Sequence, residues 1–219
     1  IETKRDQALL DLIEKAIDEF NAIEIKAEEP LSVGLIGEIY IKYNNFGQLG
    51  ITQWLQQQGI EVIVPSLMSF LLQSFVNNKV NHNNNIERTT IIERTFTKGL
   101  QMYIESRDRR WEKLKEKFRF YRPEPNIFEI AKDASQVINL VNQFGEGWLI
   151  AGEVMELNRS GINKVVCLQP FGCIANHIVA RGIENRLRKA CPKMGMLFLD
   201  IDSSVAKVNS ENRLHFLTE

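Results

Sequence analysis

Among the residues of this chain that can do chemistry, Cys173 has the most informative surroundings. It lies in the run Val165-Val166-Cys167-Leu168-Gln169-Pro170-Phe171-Gly172-Cys173-Ile174-Ala175-Asn176-His177. An apolar β-type run ends at a Gln-Pro-Phe-Gly turn, and an amphipathic helical pattern follows. Cys173 therefore falls where a strand gives way to a helix N-terminus. Backbone N–H groups and the helix dipole there favour a thiolate over a thiol. Thiolates attack electrophiles and bind iron or zinc, and one cysteine does not choose between these. The plainer reading is a small apolar residue closing the turn.

The other reactive side chains are weighed in the same way. His177 follows Cys173 by one helical turn, so the two can share a face. A Cys–His hydrolase also needs a cleft and an oxyanion hole, and the sequence shows neither. Cys167 falls inside a strand and reads as core; Cys191, before Pro192 in a polar turn, reads as incidental. No CxxC or HExxH pattern occurs, which argues against a self-contained zinc or cluster site. Asp200 and Asp202 flank a strand end, where they either hold a hard cation or cap the next helix. Gly34 and Gly37 follow a strand, but their spacing is neither a Walker loop nor a full dinucleotide fingerprint. Tight strand-to-loop geometry accounts for them more simply.

These residues need elements to position them. Leu9, Ile13, Ala16, Ile17 and Phe20 predict an amphipathic helix over 5–21, broken by Ala27-Glu28-Glu29-Pro30. A buried strand over 31–36, a loop over 37–50 and a helix over 51–58 follow. Next come a strand over 60–64 and a helix over 67–75 capped by Ser66. The asparagine-rich stretch 77–85 reads as a surface loop. Ile92, Phe96, Leu100, Tyr103, Trp111, Leu114 and Phe118 then line a long helix. Its basic end (Arg107, Arg109, Arg110, Lys113, Lys115, Lys117, Arg119, Arg122) is interleaved with Glu105, Asp108, Glu112 and Glu116, as on a solvated, self-paired face. Beyond Pro123 and Pro125, helices are expected from Asn126, over 135–144 and over 148–157. Strands over 164–168 and 196–199 bracket a helix over 174–189, and a closing helix carries Val205, Val208, Leu214 and Phe216.

Short strands, apolar on both faces and separated by helices, call for a parallel sheet covered on both sides. The expected fold is α/β, a three-layer α/β/α flavodoxin-like parallel sheet with a helical insertion. Residues 1–26 read as a leading amphipathic helix and 27–219 as the α/β domain, with the insertion at about 80–160 forming a lid or side lobe. Ligands in such sheets gather at the carboxyl ends of the strands, where Cys173 lies.

Composition narrows the class. The chain has 219 residues, 44% of them hydrophobic, and its 27 Lys and Arg against 28 Asp and Glu leave a net charge of −1. That balance gives no bulk attraction to nucleic acid or an anionic membrane. No apolar run approaches the roughly 18 residues that span a bilayer, and no signal peptide opens the chain. Three widely spaced cysteines do not form a disulfide framework, so a reducing, cytoplasmic setting is expected. The start at Ile1 instead of Met suggests an excised piece of something longer or a disordered start.

Several of these stretches resemble one family. Leu31 to Tyr40 and Gly59 to Pro65 are similar to part of the large 2-hydroxyacyl-CoA dehydratase activator-like proteins. Gly145-Glu146-Gly147-Trp148-Leu149, Gln169-Pro170-Phe171-Gly172-Cys173, Asn176-His177 and Asn212-Arg213 extend the resemblance. Those proteins look like fusions of an ATP-hydrolysing activase with segments similar to the dehydratase or double-cubane component. The resemblance implies ATP-driven, low-potential electron transfer through [4Fe–4S] clusters toward a demanding reduction or a radical dehydration of an acyl-CoA such as 2-hydroxyglutaryl-CoA. It matches Cys173 to a late cluster cysteine and places Glu38, Glu146 and His177 along the site.

The match is partial. No counterpart of the other cluster cysteines precedes Cys167, and the ATPase motifs are absent. A [4Fe–4S] cluster would need ligands from outside this chain, and ATP would bind the absent activase domain. The implied partners are the activase and dehydratase-like domains and an acyl-CoA. The apolar faces of 5–21 and 92–118 pack either internally or against a partner, a second copy of the chain included. The alternative function is a non-catalytic scaffold with the same fold, and a third is a Cys–His thiol enzyme.

Overall fold

A computed structural model describes residues 4–25, 29–87, 90, 93, 95, 97–102, 112–202, 204 and 207–219. The chain divides into two units, one of residues 30–86 and 125–219 and the other of 1–29 and 87–124. These boundaries differ from the expected 1–26 helix and 80–160 insertion. Residues 125–160 belong to the α/β unit because Ile127, Ile130, Trp148, Ile150 and Val154 are buried in its core. Residues 80–86 belong there too, Val80 packing on the same core.

The larger unit is built on four parallel strands, β1 Ser32–Gly37, β2 Glu61–Ile63, β3 Lys164–Pro170 and β4 Gly195–Ile201, in the order β2-β1-β3-β4. Alternation along the strands sends successive side chains to opposite faces. Ile36, Val165, Cys167, Met196 and Phe198 pack on one face, against α4 (Leu67–Asn83), α5 (Ile127–Ala134), α6 (Trp148–Arg159) and α7 (Arg181–Ala190). Val33, Leu35, Val166, Leu168, Leu199 and Ile201 pack on the other, against α2 (Ile39–Tyr43), α3 (Ile51–Gln57) and α8 (Lys207–Thr218). The result is a three-layer α/β/α fold of flavodoxin-like strand order. The chain leaves β1 toward β2 on one side and returns to β3 on the other. This opens a crevice at the carboxyl ends of β1 and β3.

Gly37 closes the two strands together. Its φ is +118°, and a Cβ there would stand 2.0 Å from the Leu168 carbonyl oxygen. Gly34 is also tightly packed, a Cβ falling 2.5 Å from Leu157 Cδ1. Close strand and helix contact thus accounts for both glycines.

Three expected elements differ. The loop expected over 37–50 contains α2, started by the Glu38 carboxylate accepting from Ile41 N at 2.9 Å. The asparagine-rich stretch is not a loop, since α4 runs through Asn83. Val76 is buried, and Asn77 Oδ1 accepts from the Trp148 indole at 2.8 Å, so tertiary contacts outweigh the poor helix propensity of asparagine. The helix expected over 135–144 is instead a series of turns. Asn139 Oδ1 accepts from Val141 N at 3.0 Å and Asn142 O from Trp148 N at 2.8 Å, local bonds that compete with a helical ladder.

In the smaller unit, α1 (Lys4–Asn21) carries buried Ile17. Asn21 grips the backbone of 117–119, donating to Lys117 O at 2.8 Å and accepting from Arg119 N at 3.0 Å. Phe20 meets Phe118 edge-on at 6.5 Å. Residues 97–102 and 112–115 are helical; Ile92, Phe96, Tyr103, Glu105, Arg107, Asp108, Arg109, Arg110 and Trp111 lie outside the described residues. Lys115 pairs with Glu112 at 2.6 Å and Lys117 with Glu14, so acids neutralise this part of the basic run.

Candidate functional site

The crevice at the ends of β1 and β3 gathers residues from four separate segments. Glu38 N extends the strand pairing by donating to Leu168 O at 3.0 Å. The neighbouring amide, Ile39 N, donates to Glu146 Oε1 at 2.7 Å. Glu146 is brought there by a loop whose Gly147 has a φ of +42°; a Cβ would lie 2.2 Å from Asn142 O. The second carboxylate oxygen, Oε2, lies 3.4 Å from Asn176 Nδ2, which also stands 3.3 Å from Cys173 Sγ.

Cys173 is half-buried just beyond β3, after the turn through Phe171 and Gly172. Its N–H donates to Pro170 O at 3.1 Å. The helix that follows opens into a π-helical turn, Asn176–Ala180, before continuing as α7. Asn176 begins that turn and is fully buried. Such turns occur often at functional sites because the extra residue redirects side chains on one face.

His177 contributes less directly. Its Nδ1 lies 3.2 Å from the Cys173 carbonyl oxygen, and its ring meets Phe171 edge-on. Nε2 stands 3.4 Å from Asp200 Oδ1, an ion-pair distance, and Asp200 Oδ2 accepts from Arg181 at 3.2 Å. The side chain placed against the thiol is therefore Asn176. Asp202 accepts from Ser204 N at 3.0 Å, the local bond of a turn. Among the described residues, no group of three or more His, Cys, Asp or Glu could hold a metal ion.

Beneath the crevice lies a buried ion pair. Lys42 Nζ stands 2.8 Å from Glu153 Oε1, and each side chain is 2% exposed. Burial holds Glu153 above the usual carboxylate range, with Lys42 pulling the other way. Glu153 Oε2, Gln169 Oε1 and Asn176 Oδ1 are buried and without a hydrogen-bond partner. Burial pushes the Cys167 thiol up to about 12, only partly offset by Gln169 Nε2 at 3.7 Å. The buried Cys191 thiol is raised for the same reason. Cys173 is thus the accessible one of the three thiols. Exposed Phe144, Phe171, Ile174 and Ile178 are carried by the same segments.

Of the expected site residues, the structure joins Glu146 to Cys173 through Asn176. Glu38 sits at the head of α2, and His177 on the far side of the Cys173 backbone. Lys42, Glu153 and Gln169 were not expected. Glu153 had a signal, being the lone charge within Trp148 to Met155. Its partner lies 111 residues away, and no local pattern pairs the two.

No protein-family model matches the chain, and neither a curated protein nor a solved structure does. No helix of the described residues is long and apolar enough to cross a membrane.

The residues present do not fit a [4Fe–4S] cluster held by this chain alone, because two of the three thiols are buried in the core. Cys173 fits as one thiolate contributed to a cluster whose other ligands come from elsewhere.

Proposed function

We propose that this chain is the dehydratase-like part of an activator of 2-hydroxyacyl-CoA dehydratase, within a cytoplasmic, ATP-driven iron–sulfur electron-transfer system. One observation supports this above others. Four of the six stretches that carry the resemblance, those at 31–40, 145–149, 169–173 and 176–177, converge at one crevice through Ile39, Glu146, Asn176 and Cys173. Stretches alike only because both proteins contain short strands would have no reason to converge there.

On this reading, Cys173 presents its sulfur at the crevice mouth and Asn176 orients it. Glu146 braces Asn176 against the head of α2, and His177 lines the flank. A cluster completed by ligands from outside the chain supplies one-electron, low-potential transfer. The activase domain and an acyl-CoA are the remaining participants, and this chain acts as one wall of the site.

The scaffold reading draws on the exposed Phe144, Phe171, Ile174 and Ile178, which suit contact with another protein. The two readings separate in the full-length protein, reconstituted anaerobically with iron and sulfide beside Cys173→Ser. Loss of iron, labile sulfide and the reduced-state paramagnetic signal in the variant supports the redox role. Equal iron and sulfide in both proteins removes Cys173 from any cluster and favours the scaffold.

A further inference from the structure

The sheet has two edges, and they are not alike. β2, at one edge, is three residues long and offers little to pair with. β4, at the other, is seven residues long, and among the described residues no strand lies beyond it. A long free edge is a template for another chain, because a row of backbone N–H and C=O groups points outward from it.

The hydrogen bonds of β4 show which groups those are. Gly195 N donates to Asn163 O at 2.8 Å, and Ile201 O accepts from Phe171 N at 2.9 Å. Residues 195 and 201 therefore face β3. The N–H and C=O of one strand residue point the same way, and the direction alternates from residue to residue. Residues 197 and 199 then face β3 as well, and Met196, Phe198 and Asp200 face outward.

Two of these three outward carbonyls are already taken, both by arginines. Arg188 Nη2 donates to Met196 O at 2.9 Å, and Arg213 Nη2 donates to Phe198 O at 2.8 Å. The arginines come from opposite layers of the fold. Arg188 is on α7, whose Leu187 is in the core on one face of the sheet, and Arg213 is on α8, whose Leu214 is in the core on the other. Arg188 is held in place by Glu184 Oε1, which accepts from its Nε at 3.0 Å and its Nη2 at 2.8 Å. At the third outward residue a guanidinium is again present, Arg181 donating to the Asp200 carboxylate at 3.2 Å and lying over the Phe198 ring.

We propose that Arg188 and Arg213 form a clasp that closes the β4 edge to strand pairing with a second copy of this chain. A pairing strand has to bring its own N–H groups to the Met196 and Phe198 carbonyls from the side that the two guanidinium groups occupy. In a two-fold dimer β4 would run antiparallel to its copy, and both copies would have to release both arginines. One hydrogen bond of this charged kind is worth roughly tenfold in an equilibrium. Removing one arginine from both copies therefore raises the dimerisation constant by about a hundredfold. The inference does not depend on any role for Cys173.

The test is sedimentation velocity of the full chain over a wide concentration range, beside Arg188→Ala, Arg213→Ala and the double variant. Amide hydrogen exchange is read in parallel at Met196, Phe198 and Asp200, with Leu197 and Leu199 as the reference for strand amides that are already paired. In the parent, exchange at the three outward amides is expected not to vary with protein concentration. Each single variant is expected to associate more strongly than the parent and the double variant most strongly, with exchange at the three amides slowing as concentration rises. Both arginines are exposed, so their truncation leaves the core in place. Methionine replacements, which keep the apolar stem, carry the same test if the alanine variants do not fold. A double variant that sediments as the parent does overturns the proposal. Association that leaves the three amides unslowed overturns it too, because the copies then meet elsewhere. Concentration-dependent slowing at Phe198 and Asp200 in the parent itself would show an edge that the arginines do not close, and overturns it without any variant.

Discussion

Replacing Lys42 with methionine keeps most of the side chain's volume and removes its charge, stranding Glu153. Both groups are 2% exposed and stand 2.8 Å apart, and Glu153 Oε2 has no other partner to fall back on. Breaking a buried pair by removing one member costs about 3–5 kcal/mol, because the remaining charge is left without compensation. The loss depends on pH in a defined direction. Glu153 is raised above its ordinary value of 4.5 by burial, and Lys42 opposes that shift. A raised folded-state value means that the folded chain holds the proton more tightly than the unfolded chain. Its stabilising contribution is complete below 4.5 and is lost as pH rises through the folded value. Without Lys42 that value rises further. The deficit of Lys42→Met is therefore smaller at acid pH, where Glu153 is protonated, and grows toward ~3–5 kcal/mol as pH rises and the carboxylate must be carried without its partner. Urea unfolding followed by tryptophan fluorescence measures it, since one of the chain's three tryptophans, Trp148, is fully buried in the same helix as Glu153. Lys42→Met/Glu153→Leu should recover most of the loss. A single-variant deficit that does not change with pH, or a double variant less stable than the single, would refute this account.

Native Cys173 should react with an aromatic disulfide reagent well ahead of Cys167 and Cys191, which are buried with raised thiol values; all three should react after unfolding. Equal rates for the three in the native chain would show that the core around β3 is open. Gly147→Ala should lower stability by at least about 1–3 kcal/mol, because φ is +42° and a Cβ would meet Asn142 O. It should also speed hydrogen exchange at Ile39 N, the donor to Glu146, and unchanged exchange there would separate the loop from the crevice. Asn77→Ala removes the acceptor of the Trp148 indole and should cost about 1–3 kcal/mol despite the better helix propensity of alanine. A gain in thermal stability would mean that propensity governs α4.

The α/β class was legible in the sequence because a strand buried on both faces must be apolar throughout. Val33 to Ile36 and Val165 to Leu168 show this without reference to any partner. The punctuation around Cys173 was legible for a similar reason, as a proline and a glycine leave few conformations open between Leu168 and Ile174. Local signals failed where a distant residue decides the outcome. Asparagines at 77–83 read as a loop until the indole of Trp148 and the core around Val76 hold them in α4. The Lys42–Glu153 pair, the grip of Glu146 on Ile39 and the contact of Asn176 with Cys173 join α2, the 145–147 loop, α6 and the π-helical turn. Sequence alone determines which side chains can be buried and where the chain must turn. Which buried polar groups meet, and hence what surrounds the accessible thiol, is decided by packing, because each is stable inside only when its distant partner arrives with it.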